Sequence, residues 1–424
     1  MRLGTMPLTE RFLLNGICLI TEPIAATKAA AIGFWFKKGS RDEGAGQFGM
    51  THFLEHMLFK GTHDLSASSL ARFFDRIGGY VNAFTERETV CVFCVVPATH
   101  ALDAMGILCR MTWESVMRDD EIERERSVIE SEILSSLDDP EDVGMDVALA
   151  LMYPDQPVSR VIAGSVEDVN AITGDSLREF YQSEFRNSVP LVSVAGNVDP
   201  DAIEAKLASC TSHLRFVESS VADNKAVWSA GRHFPVSRFG QSQIFCSYPI
   251  SFSRSSSNWF AWALINAIIG NTVSSRLFQS LRERKGLCYS VYSFYSFNRD
   301  CAIWSAYAAT PREKTIEAVD SMLVEIDAVH KETFTDDEFR DARSHVIGEL
   351  ELGSEDIENR MKRIARQFFF NGEVLTIDES VGVLQGLSFS TLTDLIQNDF
   401  SKDNESLIVY ADKKSAKECS RRWR

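Results

Sequence analysis

One stretch of this chain comes round a second time at a nearly constant distance, and that constrains its fold more than any other feature. Asp119-Asp120-Glu121-Ile122 opens a helical pattern that runs through Arg126-Ser127 to Glu132-Ile133. Asp336-Asp337-Glu338-Phe339 opens another, through Arg343-Ser344 to Glu349-Leu350. The offset is 217 residues throughout, and six of the fifteen positions are identical. Ser176-Leu177 to Glu184-Phe185 is echoed by Thr391-Leu392 to Asp399-Phe400 at an offset of 215. An apolar strand follows each echo, Val189 to Ala195 and then Glu405 to Ala411. Earlier in each half a helix ends at Gly78 or Gly286, and strand-like runs follow (Tyr80 to Ala83 and Thr89 to Val96; Cys288 to Phe297 and Cys301 to Ala308). Pro97 or Pro311 then turns the chain into another amphipathic helix. An offset this long is the mark of a duplicated domain, not of a short-repeat solenoid.

Each half mixes helices with hairpin-like strand pairs. The expected fold is α+β: two homologous domains, each a mostly antiparallel sheet covered by helices. A length of 424 residues is long for one core and fits two domains of about 200. The duplication sets them at 1–217 and 233–424, with a linker over 218–232, where Ser, Ala, Asp and Asn interrupt the periodicity.

His52-Phe53-Leu54-Glu55-His56 carries the strongest chemical signal. Phe53, Leu54, Met57, Leu58 and Phe59 support a largely buried helix. On it, His52 and His56 are four apart and project from one face. Two such imidazoles can share one zinc ion, with Glu55 beside the second; this is the inverted zinc-peptidase motif. A catalytic zinc needs a third protein ligand and an open position for water. Glu121 to Leu137 supplies candidates, among them Glu125 and Glu132, seven residues apart and so on one helical face. Ile122, Val128, Ile129, Ile133 and Leu134 predict that part of this helix is buried. The second half is an internal control. Its counterpart of the motif helix, Trp259 to Gly270, has no such pattern, and Ala342 stands where Glu125 does, although Glu349 matches Glu132.

Other signals are weaker. Gly44-x-Gly46-x-x-Gly49 follows a strand, Ala30 to Phe36, but Asp42 and Glu43 before it would repel a pyrophosphate. His63, His100, His213, His233, His330 and His345 lack ligand partners at helical spacing and read as surface or packing residues. Phe368-Phe369-Phe370 reads as core or subunit interface. Cys91 and Cys94 sit in an apolar β-branched run and read as buried strand cysteines. Nine cysteines without paired spacing predict reduced thiols. A net charge of -16 argues against nucleic acid as a partner. The chain shows no run of 18 apolar residues, which argues against a membrane span. Met1 to Gly16 reads as neither a secretory signal nor a transit peptide, so the expected location is cytoplasmic.

These motifs together resemble the pitrilysin–insulinase family, and most of all its half-length branch. That branch includes bacterial processing-type peptidases and the subunits of the mitochondrial processing peptidase. The resemblance runs over essentially the whole chain. It rests on Asn15-Gly16, on Gly39-Ser40-Arg41-Asp42-Glu43, and on the histidine motif with Phe59-Lys60-Gly61-Thr62 after it. It rests also on Gly78-Gly79 with Asn82-Ala83-Phe84-Thr85, and on Glu123-Arg124-Glu125-Arg126 leading to Glu132-Ile133. In the second half it rests on Ser275-Arg276-Leu277-Phe278 and on Arg282-Glu283-Arg284-Lys285-Gly286-Leu287-Cys288-Tyr289-Ser290.

The resemblance implies that His52, His56 and Glu132 hold one zinc ion per chain. It implies that Glu55 activates water and that Glu125 supports the ligands or the water. Arg282 and Tyr289 would reach the substrate or tetrahedral intermediate, and the strand near Asn82 and Ala83 would pair with an extended peptide. The implied activity is that of a zinc-dependent metalloendopeptidase on peptides or unfolded segments, with a homodimer as the expected assembly and a heterodimer as the alternative. Two rivals remain: a non-catalytic, partner-dependent subunit of a peptidase complex, and a metal-dependent hydrolase of non-peptide substrates. No implied catalytic position departs from the family pattern, which favours an active subunit.

Overall fold

The structure is a computed structural model that describes residues 8–217, 225–251, 253–332 and 334–423. The start of the Met1 to Gly16 stretch, and 218–224 of the expected linker, lie outside the described residues.

The first sheet is built from β1 (Thr9–Phe12), β2 (Cys18–Pro23), β3 (Ala29–Phe36), β4 (Tyr80–Thr85), β5 (Val90–Pro97) and β6 (Leu191–Gly196). Their order is β1-β2-β6-β3-β5-β4, with β2 and β6 parallel and every other pair antiparallel. The second sheet is built from β7 (Gly231–His233), β8 (Gln241–Pro249), β9 (Ser290–Phe297), β10 (Ala302–Pro311) and β11 (Ser406–Tyr410). Their order is β7-β11-β8-β10-β9, and β7–β11 is the one parallel pair. Without β1 the two orders are the same, so the duplication read in the helices extends to the sheets.

Gly231 and Arg232, the last residues of the expected linker, are strand residues of β7. Just before them the Ala226 N–H donates to Asp300 Oδ2 at 2.9 Å and the Trp228 indole N–H to the Asn404 carbonyl at 2.9 Å. These residues already belong to the second compact unit, so the described part of that stretch is not a free connector.

The central strands are buried on both faces, which is why they read as continuous apolar runs. Along β3, Ile32, Phe34 and Phe36 enter one core, and Ala31 and Trp35 enter another on the opposite face. The first core is closed by helices that include Met50–Met57, Ala101–Trp113 and Asp119–Leu137. The second is closed by Ile357–Asn371, which comes from the far half of the sequence and seats Met361, Ile364 and Ala365 on the sheet. Gly33 makes room for it: a Cβ there would lie 2.4 Å from Met361 Sδ. Phe368 and Phe369 pack against this same core, with the Lys37 amine over both rings.

The second sheet is covered the same way. Ile244, Cys246, Trp304 and Ala306 face one core, and Phe245, Ile303 and Tyr307 face another with Ala148, Leu149 and Met152 of helix Pro140–Met152. The compact units are therefore not continuous stretches. One holds the described residues up to Ser135, those from Arg160 to 217, and Leu352–Val374; the other holds Ser136–Ser159, the residues from 225 to Glu351, and those from Leu375 to 423. Both exchanged helices begin alike. Asp139 accepts from the N–H groups of Glu141 (2.8 Å) and Asp142 (3.2 Å), and Asp356 from those of Glu358 (2.8 Å) and Asn359 (3.2 Å), which satisfies first-turn donors.

Cys91 and Cys94 are both buried on β5, as expected. Three residues apart on a strand, they face opposite cores. No described helix is long and apolar enough to cross a membrane.

Candidate metal centre

Helix Met50–Met57 buries Met50, Thr51, Phe53, Leu54 and Met57. The positions left over are His52, Glu55 and His56, at i, i+3 and i+4, so the apolar pattern itself sets the three polar groups in one half-buried stripe. Asp119–Leu137 buries Ile122, Glu125, Ile129 and Ile133, spaced by three and four. Val128 and Leu134, expected to help bury it, lie on its outer side and are exposed. Arg126 ties the helix down: its guanidinium donates to the carbonyls of Val169 and Ile172 (2.7 Å to the latter) and lies over the Phe53 ring.

Together the two helices bring the sequence candidates to one place. Nε2 of His52 and Nε2 of His56 are 3.3 Å apart. Glu132 sets Oε1 3.9 Å from the first and Oε2 3.5 Å from the second. Among the described residues this is the one cluster of its kind, with all three ligand atoms within 4.8 Å of one another. Atoms held about 2.0–2.2 Å from one tetrahedral zinc lie roughly 3.3–3.6 Å apart. The two imidazole nitrogens meet that spacing, Glu132 approaches each of them with a different oxygen, and two imidazole nitrogens with one carboxylate oxygen are a donor set that zinc accepts.

Glu125 takes a different position. Its carboxylate is 6% exposed and turned away from that cluster, with Oε1 2.9 Å from His56 Nδ1 and its other oxygen paired with Lys60. Burial works to raise its pKa, but the hydrogen bonds from His56 and Lys60 outweigh burial and hold it below the ordinary carboxylate value. An ionised Glu125 fixes the proton of His56 on Nδ1 and leaves Nε2 free to bind a metal. Glu55 accepts a hydrogen bond from the Thr85 hydroxyl at 2.5 Å. Burial raises the Glu55 carboxyl against that bond and against His56, with Glu132 adding to the rise.

Burial and the charge of His56 lower His52 to about 4, so its imidazole is neutral at physiological pH. Burial also acts to lower His56, but its bond to Glu125 and the charges of Glu55, Glu125 and Glu132 prevail and raise it. Carboxylates that favour a proton there favour any cation. Glu55, Glu125 and Glu132 with Lys60 leave a negative balance that a divalent ion would offset.

Asn82 and Ala83 lie on β4, the edge strand of the first sheet, with Asn82 exposed and Ala83 buried. β4 ends at Thr85, in contact with Glu55. Arg282 and Tyr289 belong to the second unit and to each other: the guanidinium donates to the Tyr289 carbonyl at 2.9 Å and lies 4.6 Å from the ring centroid. Tyr289 is 80% exposed. Glu349, the counterpart of Glu132, pairs with His345 at 3.1 Å, which gives one of the six isolated histidines a partner.

The dinucleotide-like glycines lead into the motif helix, but a carboxylate already sits at its start: Glu43 accepts from the N–H groups of Gly49 and Thr51. The sequence reading gave no role in the site to Thr85 or Lys60, and saw in Glu43 only a charge that repels phosphate. The available signals were slight: Lys60 stands four residues after His56, and Thr85 closes the strand that packs on the motif helix.

Residues 19–166 match the family description "Insulinase (Peptidase family M16)", and residues 171–346 match "Peptidase M16 inactive domain". An uncharacterized zinc protease of Streptomyces coelicolor is 32% identical over 89% of this chain and 83% of its own length. This chain belongs to the insulinase family of peptidases, M16. An uncharacterized zinc protease of Bacillus subtilis is 29% identical over 93% of this chain and 96% of that one. The M16 fold is matched by a crystal structure of a "peptidase M16 inactive domain" from Pseudomonas fluorescens, with a TM-score of 0.89 at 14% identity over 96% of this chain and 99% of that one. A Helicobacter pylori protease superposes with a TM-score of 0.86 at 18% identity, over 95% of this chain and 99% of that one.

Proposed function

We propose that this chain is a zinc-dependent metalloendopeptidase that hydrolyses peptides or unfolded polypeptide segments bound as an extended strand. The observation that carries the proposal is the convergence of His52, His56 and Glu132, one ligand atom from each within 4.8 Å of the others, beside Glu55. One zinc ion, held by those three residues, would supply Lewis acidity to a water molecule and to the scissile carbonyl. Glu55 takes the proton from the attacking water and hands it to the leaving amine. Thr85 keeps the carboxylate aimed. Glu125 and Lys60 hold the His56 ring in its ligating tautomer.

The open edge of β4 suits an extended peptide, because strand addition satisfies the main-chain groups of both partners. A peptide paired along Asn82 and Ala83 would run toward Thr85 and so toward the base. Arg282 and Tyr289, an exposed cation–aromatic pair, are proposed to contact the substrate or the developing oxyanion. The assembly proposed is a homodimer in the cytoplasm.

The reading is tested by incubating the purified chain with a mixed quenched-peptide library while bound zinc is quantified. Expected are one zinc per chain, cleavage within peptides, loss of cleavage with a chelator and its return with zinc. Zinc binding with no cleavage by the isolated chain would replace this reading with that of a partner-dependent subunit.

A further inference from the structure

The motif helix cannot cap itself. Its N-cap residue, Gly49, has φ +80°, and a Cβ there would lie 2.4 Å from the Ala163 carbonyl oxygen. Only glycine fits, so no Ser, Thr or Asp side chain at that position can bind the first-turn N–H groups. Glu43 does so from six residues upstream. Its Oε2 accepts from Gly49 N–H at 2.9 Å and its Oε1 from Thr51 N–H at 2.7 Å, and the residue is 5% exposed. Arg160 closes the arrangement, donating to the Glu43 carbonyl at 2.8 Å and lying over the Phe48 ring at 4.5 Å.

The two histidines of the stripe are held in different ways. The ring of His56 is gripped by Glu125. His52 Nδ1 is buried and has no hydrogen-bond partner among the described residues. The direction of the His52 ring therefore rests on packing and on the backbone of the first helical turn, which Glu43 fixes.

We infer that Glu43 is a positioning residue for the metal centre, anchoring the N-terminal turn of the motif helix so that His52 faces His56 and Glu132. This rests on the metal reading proposed above. Such an anchor comes at a cost to the fold. Burial pushes the Glu43 carboxyl up to about 7, in spite of the N–H donors of Thr51 and Gly49 and the charge of Arg160. A carboxyl raised in this way stabilises the fold below its unfolded pKa and loses that contribution as pH rises through the folded value. At pH 8 the ionised group is a burden on stability, so its value lies in geometry.

The test uses the full chain, with Co2+ as the probe. Wild type, Glu43→Gln and Glu43→Asp are compared for Co2+ affinity, for the d–d absorption of the bound ion, and for the melting temperature of the metal-free protein at pH 8. The glutamine variant keeps the volume but presents an NH2 to the Gly49 N–H; the aspartate keeps the charge but falls short of both donors. Expected for both variants is a loss of Co2+ affinity of about tenfold or more, with an altered d–d spectrum at saturation. The glutamine variant is expected to keep its melting temperature. Unchanged affinity and spectrum in the glutamine variant would overturn the inference. So would a loss of affinity that only accompanies a lowered melting temperature while the spectrum is unmoved. Wild-type affinity in the aspartate variant would overturn it by showing that charge alone suffices. A wild type that takes up no Co2+ would refute the metal reading itself, and this inference with it.

Discussion

Glu132 and Glu349 stand 217 residues apart at the same point of equivalent helices, Asp119–Leu137 and Asp336–Gly353, and their surroundings have made different things of them. Glu132 meets two imidazoles. Glu349 pairs with a histidine of its own helix. In the second unit the helix after β8, Ser256–Asn266, carries Trp259 and Trp262 and no histidine, and Trp259 rests on Phe260 and Tyr295. Buried Ala342 takes the position of Glu125. Much of the frame is shared: the strand order apart from β1, the parallel pair, the Asp cap and the exchanged helix. The comparison separates the frame from the chemistry. The sheet and its helices fold without a metal site in one unit, so the site in the other depends on a few side chains added to a common scaffold.

The largest effect should come from splitting that pair. Glu132→Gln should abolish stoichiometric zinc binding, whereas Glu349→Gln should leave it intact, as read by metal analysis after dialysis. Equal loss in both would break the comparison.

Next, Glu125→Gln should lower zinc affinity by roughly 10–100-fold, because His56 loses its ionised partner and Lys60 is left unpaired. Competition with a zinc chelator of known affinity measures this. An unchanged affinity would mean that Glu125 is no more to the site than Ala342 is to the second unit.

The exchanged helices can be compared through stability. Met361→Ala empties the space above Gly33 and should cost about 2–5 kcal/mol, with the first unit losing hydrogen-exchange protection before the second. Uniform loss across both units would show that the two do not melt separately.

The smallest effect concerns Glu338, which accepts from Arg276 at 2.6 and 2.8 Å and from Thr335 N–H at 2.7 Å. Burial works to raise its pKa, but those bonds prevail and hold it below the ordinary value. A depressed carboxyl stabilises the fold above its unfolded pKa, about 4.3 for Glu, and the contribution is lost as pH falls through the lower folded value. Glu338→Gln should therefore lower the melting temperature at pH 7, and the gap from wild type should close below about pH 4. Its counterpart Glu121 pairs with Arg124 on the surface, and Glu121→Gln should change little.

Much of this was legible in the sequence, for physical reasons. The duplication survives as acidic first turns of helices and strand-ending prolines, which act locally. The stripe of His52, Glu55 and His56 could be read because a helix of known period sorts apolar from polar positions. The third metal partner could not be singled out by spacing: Glu125 and Glu132 share a helical face, and only packing sends one to His56 Nδ1 and the other to both Nε2 atoms. The exchange of Pro140–Met152 and Ile357–Asn371 was invisible, because a periodic pattern says that a face is buried and not which sheet buries it. Val128 and Leu134 misled for the same reason: apolar residues beside a buried stripe need not be in it. Glu43 was read only as a charge that repels phosphate, since its role depends on a glycine whose conformation no pattern announces.

The central claim, that Glu55 is the base beside a bound zinc, is tested most directly by measuring zinc content and peptide cleavage for wild type and Glu55→Gln together. The account predicts equal zinc in the two, with cleavage by the variant lower by about 10²–10⁴-fold or more. Cleavage by a zinc-loaded Glu55→Gln protein at the wild-type rate would contradict it.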